Sequence, residues 1–167
     1  FATADLDTGL IERDHDALFP APQAAPDSAL ALAVVSLIAA EKQDAAHQSS
    51  ANPADPWGQA LGWRMNQSYV RALSFSDEFA SDKPYTAYVS YRADGWLFSV
   101  GAGAQPEVLT LTARDGDDYS VKLGARSLHG AVRRDGDLLH VFTGGAHYQL
   151  TCNDPMAHAG ETEAEGG

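Results

Sequence analysis

Cysteine is almost missing from this sequence, since Cys152 is the only one among 167 residues. A single cysteine excludes a disulfide within the chain and any zinc site built on several cysteines. Scarce cysteine is typical of proteins that work in a reducing compartment, and no targeting segment is visible. The length still suffices for one domain with an ordinary hydrophobic core.

Positive charge is also scarce: 11 Lys and Arg stand against 23 Asp and Glu, for a formal net charge of −12. Nucleic acids and anionic membrane surfaces both bind to basic patches, so we expect neither as a partner. The most apolar stretch, from Ala29 to Ala40, is shorter than the about 20 residues that a membrane-spanning helix needs.

Catalytic and metal-binding motifs are missing as well. The glycines of Gly101–Pro106 lack the lysine and following helix of a phosphate loop, and no G-x-S-x-G sequence occurs. The six histidines contain no H-x-x-x-H pair. His140 and His147 flank one hairpin and could face each other across it, but a metal would need a third ligand. We therefore predict no catalytic, cofactor-binding or metal-binding residue.

A helix is predicted from Asp27 to Ala46. Pro26, Asp27 and Ser28 make a favourable helix start, because a short side-chain oxygen can accept hydrogen bonds from the first backbone N–H groups. From Ala29 to Ala40 only Ser36 is polar. A helix that is apolar on nearly every side has to be buried on nearly every side.

From Leu61 onward, alternation of apolar and polar residues predicts β-strands. Three dipeptides are predicted as the central pairs of type I′ turns, because both positions of such a turn need positive φ: Asp94-Gly95, Asp115-Gly116 and Asp135-Gly136. Gly144-Gly145 is predicted to make a further tight turn. The predicted strands are Leu61–Met65, Tyr69–Phe75, Tyr85–Tyr91, Trp96–Val100, Glu107–Thr112, Tyr119–Leu123, Ser127–Arg133, Leu138–Phe142 and Ala146–Leu150. We predict an α+β fold in which an antiparallel barrel of about eight strands surrounds a long central apolar helix.

Two other classes of protein share parts of this pattern. A hotdog-like acyl-CoA thioesterase also wraps a sheet around a helix, and Asp27 would be its catalytic acid, although a helix-capping role explains Asp27 without chemistry. A lipocalin-like barrel would need an empty lumen, which Leu30, Val34 and Ile38 would fill.

Three stretches together resemble the biotin-carrying α subunits of acyl-CoA carboxylases, with 3-methylcrotonyl-CoA carboxylase as the nearest type. L-D-T-G-L-I-E-R, from Leu6 to Arg13, resembles the end of the biotin carboxylase domain, where a T-x-F-[LI]-E pattern recurs. Gly9 stands at the variable position of that pattern, and Leu10 stands where the family has Phe. D-P-W…G-W-R-M-N, from Asp55 to Asn66, resembles the region that follows the long helix in these subunits. The sequence from His140 to Gly167 resembles the stretch before the biotinyl domain.

The resemblance implies a domain division and a piece of a longer subunit. Residues 1–19 would be the end of the biotin carboxylase domain and residues 20–26 a linker. Residues 27–152 would be the connecting domain, called the BT domain, with the helix at 27–46, a loop at 47–60 and the barrel at 61–152. Residues 153–167 would lead toward a biotinyl domain.

The resemblance also implies the partner and the cofactors of the parent enzyme. In the family this domain joins the α subunit to the carboxyltransferase β subunit, so a hetero-oligomer is expected, in the cytoplasm of a bacterium. The loop after the helix would contact the β subunit through Asn52, Pro53, Asp55, Pro56 and Trp57. Biotin, ATP and Mg²⁺ are implied for the parent, a ligase of leucine catabolism, and none of them for this chain. Geranyl-CoA or propionyl-CoA carboxylase are the alternative parents.

Overall fold

The computed structural model describes residues 24–51, 70–77, 81–92 and 94–153. These parts of the chain form one helix and then eight strands. The bounds are α1 (Asp27–Ala51), β1 (Val70–Asp77), β2 (Ser81–Arg92), β3 (Gly95–Val100), β4 (Glu107–Asp115), β5 (Asp118–Leu123), β6 (Arg126–Asp135), β7 (Leu138–Thr143) and β8 (Ala146–Asn153).

The strands form a closed antiparallel barrel in which each strand pairs with its neighbour in sequence. The barrel closes between β1 and β8, where Phe75 lies opposite Cys152. The prediction of an antiparallel barrel of about eight strands is therefore confirmed. Eight of the nine predicted strands correspond to β1–β8, and the ninth, Leu61–Met65, lies outside the described residues.

Helix α1 begins where the sequence predicts and continues five residues beyond the predicted end at Ala46. The carbonyl oxygen of Pro26 accepts hydrogen bonds from the N–H groups of Ala29 and Leu30. Asp27 is in the first turn, where a carboxylate interacts favourably with the helix dipole.

The prediction of a long apolar helix is wrong, because only the first half of α1 is apolar and buried. Every residue from Ala29 to Val35 has zero exposure, and burial continues as far as Ala39. Beyond Glu41 the described side chains are polar or small and exposed. Since the segment from Ala29 to Val35 makes nearly two turns with no face in solvent, the barrel encloses it.

The inside of the barrel follows the period-two pattern of its strands. Alternate residues point inward and are buried, as Val121 and Leu123 are in β5. The helix packs most extensively against β5, β6 and β7. Gly130 of β6 marks a close approach: a Cβ atom there would lie 2.5 Å from the Phe142 carbonyl oxygen and 2.8 Å from Cδ1 of Leu32. A side chain at position 130 would therefore collide with both the helix and the next strand.

One predicted turn is confirmed. Thr143 pairs with Ala146, so Gly144 and Gly145 are the central residues of the β7–β8 turn. Their φ angles are +60° and +79°, as a type I′ turn requires.

The other three predicted turns are displaced by one residue. Asp115 pairs with Asp118, which makes Gly116 and Asp117 the central pair, and the β6–β7 turn has the same offset. Gly95 pairs with Arg92 and therefore belongs to β3. The sequence located these turns to within one residue, but it placed each glycine in the second central position, whereas Gly116 and Gly136 occupy the first and Gly95 follows the turn.

Candidate functional site

The barrel interior is occupied by hydrocarbon. Apart from Ser36 and Asp77, the buried residues in the described parts of the chain are apolar, with Trp, Tyr and Cys counted among them. The Ser36 hydroxyl donates a 2.8 Å hydrogen bond to the Ala33 carbonyl of its own helix. Asp77 ends β1. The Ser36 hydroxyl is therefore engaged within its own helix.

Helix α1 leaves the barrel at one end, which we call the helix-exit end. Nη1 of Arg71 lies 2.7 Å from Oε1 and 2.8 Å from Oε2 of Glu41, and both side chains are largely buried. The Lys42 ammonium lies 5.0 Å from the centre of the Trp96 ring. Arg71 is near the start of β1 and Trp96 near the start of β3, so these two contacts fix the direction in which the polar half of the helix leaves the barrel.

The predicted partner-binding residues, Asn52, Pro53, Asp55, Pro56 and Trp57, lie outside the described residues. The described chain stops at Ala51 before them and resumes at Val70 after them. Val70 is next to Arg71, whose side chain binds Glu41. The described chain therefore resumes at the helix-exit end of the barrel.

Histidines and an exposed phenylalanine cluster on the outer surface of β7 and β8. Nδ1 of His140 lies 3.1 Å from Nε2 of His147, so the two histidines face each other as the sequence suggested. The ring of Phe142 stacks on His147 with centroids 4.4 Å apart and planes 9° apart. Burial, and secondly the charge of His140, lower the pKa of the His147 imidazole below its ordinary value.

A groove of about 410 Å³ lies beside this cluster, lined by His129, Gly130, Phe142, Thr143, Gly144, Gly145, Ala146 and His147. The His129 ring is engaged elsewhere, with Nδ1 2.8 Å from the Ser120 hydroxyl. Within the described ranges, no three His, Cys, Asp or Glu side chains are grouped so that they could hold a metal ion. Arg133 lies opposite His140 in the sheet, which places a cation next to the histidine pair.

A family model decides the identity of the fold. The model described as "Methylcrotonyl-CoA carboxylase, alpha-subunit, BT domain" matches residues 26–155. The chain belongs to this BT domain family. The match includes α1, the whole barrel and the segment between them. No curated protein matches the sequence.

Membership in the family supports the non-catalytic interpretation, because the BT domain is the non-catalytic connecting part of biotin-dependent carboxylase α subunits. Biotin is attached to the lysine of an M-K-M motif in the biotinyl domain of such carboxylases. This motif does not occur in the sequence, since neither Met65 nor Met156 stands next to a lysine. Asp27, the acid of the thioesterase alternative, is exposed in the first turn of α1. Among the described helical residues no segment is long and apolar enough to cross a membrane.

Sequence reasoning missed the contacts that define the helix-exit end of this BT domain. Glu41 and Arg71 are 30 residues apart, and no local pattern connects them. The close approach at Gly130 was missed for a similar reason. An isolated glycine in a predicted strand is the available signal for such a contact, and Gly130 is the one glycine inside the predicted strand Ser127–Arg133.

Proposed function

We propose that this chain is the subunit-joining part of the α subunit of a bacterial, cytoplasmic methylcrotonyl-CoA carboxylase. It binds the carboxyltransferase β subunit and thereby holds the biotin carboxylase and carboxyltransferase centres in one hetero-oligomer. The match of the BT domain model to residues 26–155 carries the proposal. That model describes the methylcrotonyl-CoA enzyme, which favours this parent over geranyl-CoA or propionyl-CoA carboxylase. The parent would be an ATP- and Mg²⁺-dependent ligase that carries biotin on another domain.

The interior chemistry supports a structural role. A catalytic site in a barrel of this kind needs polar groups and space inside it, whereas here the buried half of α1 occupies the interior. A binding site would therefore lie on the outer surface or at the helix-exit end of the barrel. Binding to a protein partner uses such surfaces and needs no reactive group.

Asn52, Pro53, Asp55, Pro56 and Trp57 are the proposed centre of the β-subunit contact. Tryptophan is enriched among the residues that dominate binding energy at interfaces. The two prolines restrict the unbound chain, which lowers the entropy lost on binding. The ion pair between Glu41 and Arg71 joins α1, which precedes this segment in the chain, to β1, which follows it.

The test replaces Trp57 by alanine and measures the dissociation constant of the chain for the methylcrotonyl-CoA carboxylase β subunit of the same organism. We expect binding to weaken by about 2 kcal/mol or more, the size of an interface hot spot. The thermal unfolding midpoint of the variant should stay close to that of the unchanged chain.

Phe142→Ala is the matched control, because Phe142 is an aromatic residue that is 45% exposed on another part of the barrel. We expect its binding to match that of the unchanged chain. Equal affinity of the Trp57→Ala variant and the unchanged chain would remove the segment from the interface. Failure of the unchanged chain to bind the β subunit would refute the joining function itself.

A further inference from the structure

His140 and His147 form a pair on the outer surface of the β7–β8 hairpin. His140 lies opposite Gln149 and His147 lies opposite Phe142, so the two histidines are diagonal neighbours on one face of the sheet. Diagonal neighbours are within reach of each other when their side chains are long. Nδ1 of His140 lies 3.1 Å from Nε2 of His147. Two imidazole nitrogens from neighbouring strands therefore meet at one point on the surface.

Packing holds the two rings in this arrangement. The His147 ring stacks on Phe142, with centroids 4.4 Å apart and planes 9° apart. The centroids of the two imidazoles are 5.3 Å apart and their planes differ by 20°. The centroid separation exceeds the nitrogen separation by about the radii of the two rings, so the nitrogens point toward each other. Binding to groups that are already oriented costs less entropy than binding to mobile ones.

The separation of the two nitrogens is close to the one that a bound transition-metal ion requires. Zn²⁺ binds imidazole nitrogens at about 2.0–2.1 Å with tetrahedral angles, which places two such nitrogens about 3.3–3.4 Å apart. The observed 3.1 Å therefore has to widen only slightly. The same small rotations about the side-chain torsions turn both lone pairs toward the ion.

A proton now lies between the two nitrogens, because an N–H···N contact needs one donor and one acceptor. When a metal ion binds, this proton moves through solvent to the outer nitrogen of the donating ring. Both rings stay neutral, each with one lone pair on the metal, and no net proton is released. The exchange therefore needs no further reactant.

We infer that His140 and His147 chelate a divalent transition-metal ion of the zinc or copper type. The inference is independent of the proposed subunit-joining function. Within the described parts of the chain no third His, Cys, Asp or Glu side chain joins the pair, so water occupies the remaining coordination positions. Two imidazoles without a carboxylate select zinc and copper over Mg²⁺ and Ca²⁺, which prefer oxygen ligands.

The surroundings of the pair leave room for a hydrated ion. The groove of about 410 Å³, which His147 lines, adjoins the pair and admits the water ligands. Arg133 lies opposite His140 and is exposed, so its guanidinium can extend into solvent away from a bound cation. The net charge of −12 favours the approach of cations to the chain as a whole.

Calorimetric titration of the full chain with Zn²⁺, above the ordinary pKa of histidine, tests the inference with the variants His140→Gln and His147→Gln. Because two ligands hold the ion jointly, the loss of either one removes the chelate. We expect each substitution to raise the dissociation constant about tenfold or more. The variant with both substitutions should bind scarcely more weakly than either single variant. Mg²⁺ should not compete with Zn²⁺ for the site.

His129→Gln is the matched control. His129 lines the same groove, but its Nδ1 lies 2.8 Å from the Ser120 hydroxyl. We expect its dissociation constant for Zn²⁺ to remain within about twofold of that of the unchanged chain. The circular dichroism spectrum should be the same for all variants, since they alter side chains on the outer surface.

Several outcomes would overturn the inference. The unchanged chain could fail to bind Zn²⁺, or His140→Gln could bind it equally well. Losses in the two single variants that add up in the double variant would assign the histidines to separate sites. An equal loss in His129→Gln, or competition by Mg²⁺, would show that the pair does not select the ion.

Electron paramagnetic resonance of the Cu²⁺ complex gives a second readout, because nitrogen nuclei bound to copper split its spectrum. We expect two coordinating nitrogens in the unchanged chain and one in each of the His140→Gln and His147→Gln variants. A spectrum of the unchanged chain with one coordinating nitrogen or none would overturn the chelate even if calorimetry detects Zn²⁺ binding.

Discussion

The inside and the outside of this barrel obey different rules. Inside, strand residues such as Val89 meet the buried half of α1, and their exposure is zero. Outside, the same strands present polar, charged and histidine side chains, and Val70, Val108 and Phe142 are the large hydrophobic side chains exposed among the described residues. Within one strand, the inward-pointing residues therefore build the core and the outward-pointing residues build the surface, because the pleat directs alternate side chains to opposite sides.

The difference indicates where function can change without loss of the fold. Interior positions are constrained by close packing, because a lost methyl group leaves a cavity and an added one collides. Exterior positions away from specific contacts change stability little. For a domain whose proposed role is to join subunits, partner specificity is therefore expected to reside in the outward-pointing residues and at the helix-exit end.

The difference between interior and exterior positions is tested most directly with two valines, one buried and one exposed. Val89→Ala removes two methyl groups from a fully buried position, and we expect it to lower the free energy of unfolding by about 2–3 kcal/mol. Val108→Ala makes the same chemical change at a position that is 43% exposed, with an expected loss of about 0.5 kcal/mol or less. Urea unfolding followed by circular dichroism measures both values.

The two substitutions lose the same preference of valine for strands, so the difference between them reports burial alone. If the two variants lose similar free energies of unfolding, the interior around Val89 is loosely packed. Interior and exterior positions would then not differ in how strongly packing constrains them.

A second comparison sets two ion pairs against each other. Glu41→Gln removes the charge that pairs with Arg71 at the helix-exit end, where the two side chains are 33% and 15% exposed. A partly buried guanidinium is left without its carboxylate, and we expect a loss of about 1 kcal/mol in the free energy of unfolding. The same measurement in high salt should leave most of this loss in place.

Glu107→Gln is the exposed counterpart, because Glu107 and Arg126 are 47% and 55% exposed and 2.9 Å apart. Exposed pairs contribute little, and we expect a change of about 0.5 kcal/mol or less. A larger loss of stability for Glu107→Gln than for Glu41→Gln would contradict the view that the ion pair at the helix-exit end stabilises the fold more than the exposed pair does.

The sequence predicted most of the fold because the fold depends on local periodicity. Alternating residues located β1–β8, and sequential antiparallel strands with short turns leave few other topologies. The apolar stretch before them located the buried half of α1. The end of that helix was missed because the residues beyond Ala46 have no apolar periodicity from which a helix could be predicted, whereas α1 continues to Ala51.

What the sequence could not predict depends on register or on distant contacts. Asp-Gly pairs mark a turn to within one residue, but whether the glycine is a central turn residue, as Gly116 is, or begins the next strand, as Gly95 does, is decided by how the two strands pair. The row of Val70, Leu97 and Val108 on the outer surface becomes visible only when the strand pairing is known, because their spacing along the chain is irregular. The partner residues Asn52–Trp57 remain a prediction from family resemblance.

The smallest expected effect is a pH dependence on the outer surface. Burial and His140 lower the pKa of His147 in the folded chain, whereas the unfolded chain has the ordinary value of about 6.5. Below that pH the unfolded state binds the proton more readily, so the stability that His147 contributes is present above pH 6.5 and is lost as the pH falls. His147→Gln should therefore lose less stability than the unchanged chain between pH 7.5 and pH 5 in urea unfolding. Because His147 is exposed, the difference between the two proteins should be small. Equal losses of unfolding free energy in both would show that the arrangement of His147 with Phe142 and His140 does not oppose its protonation.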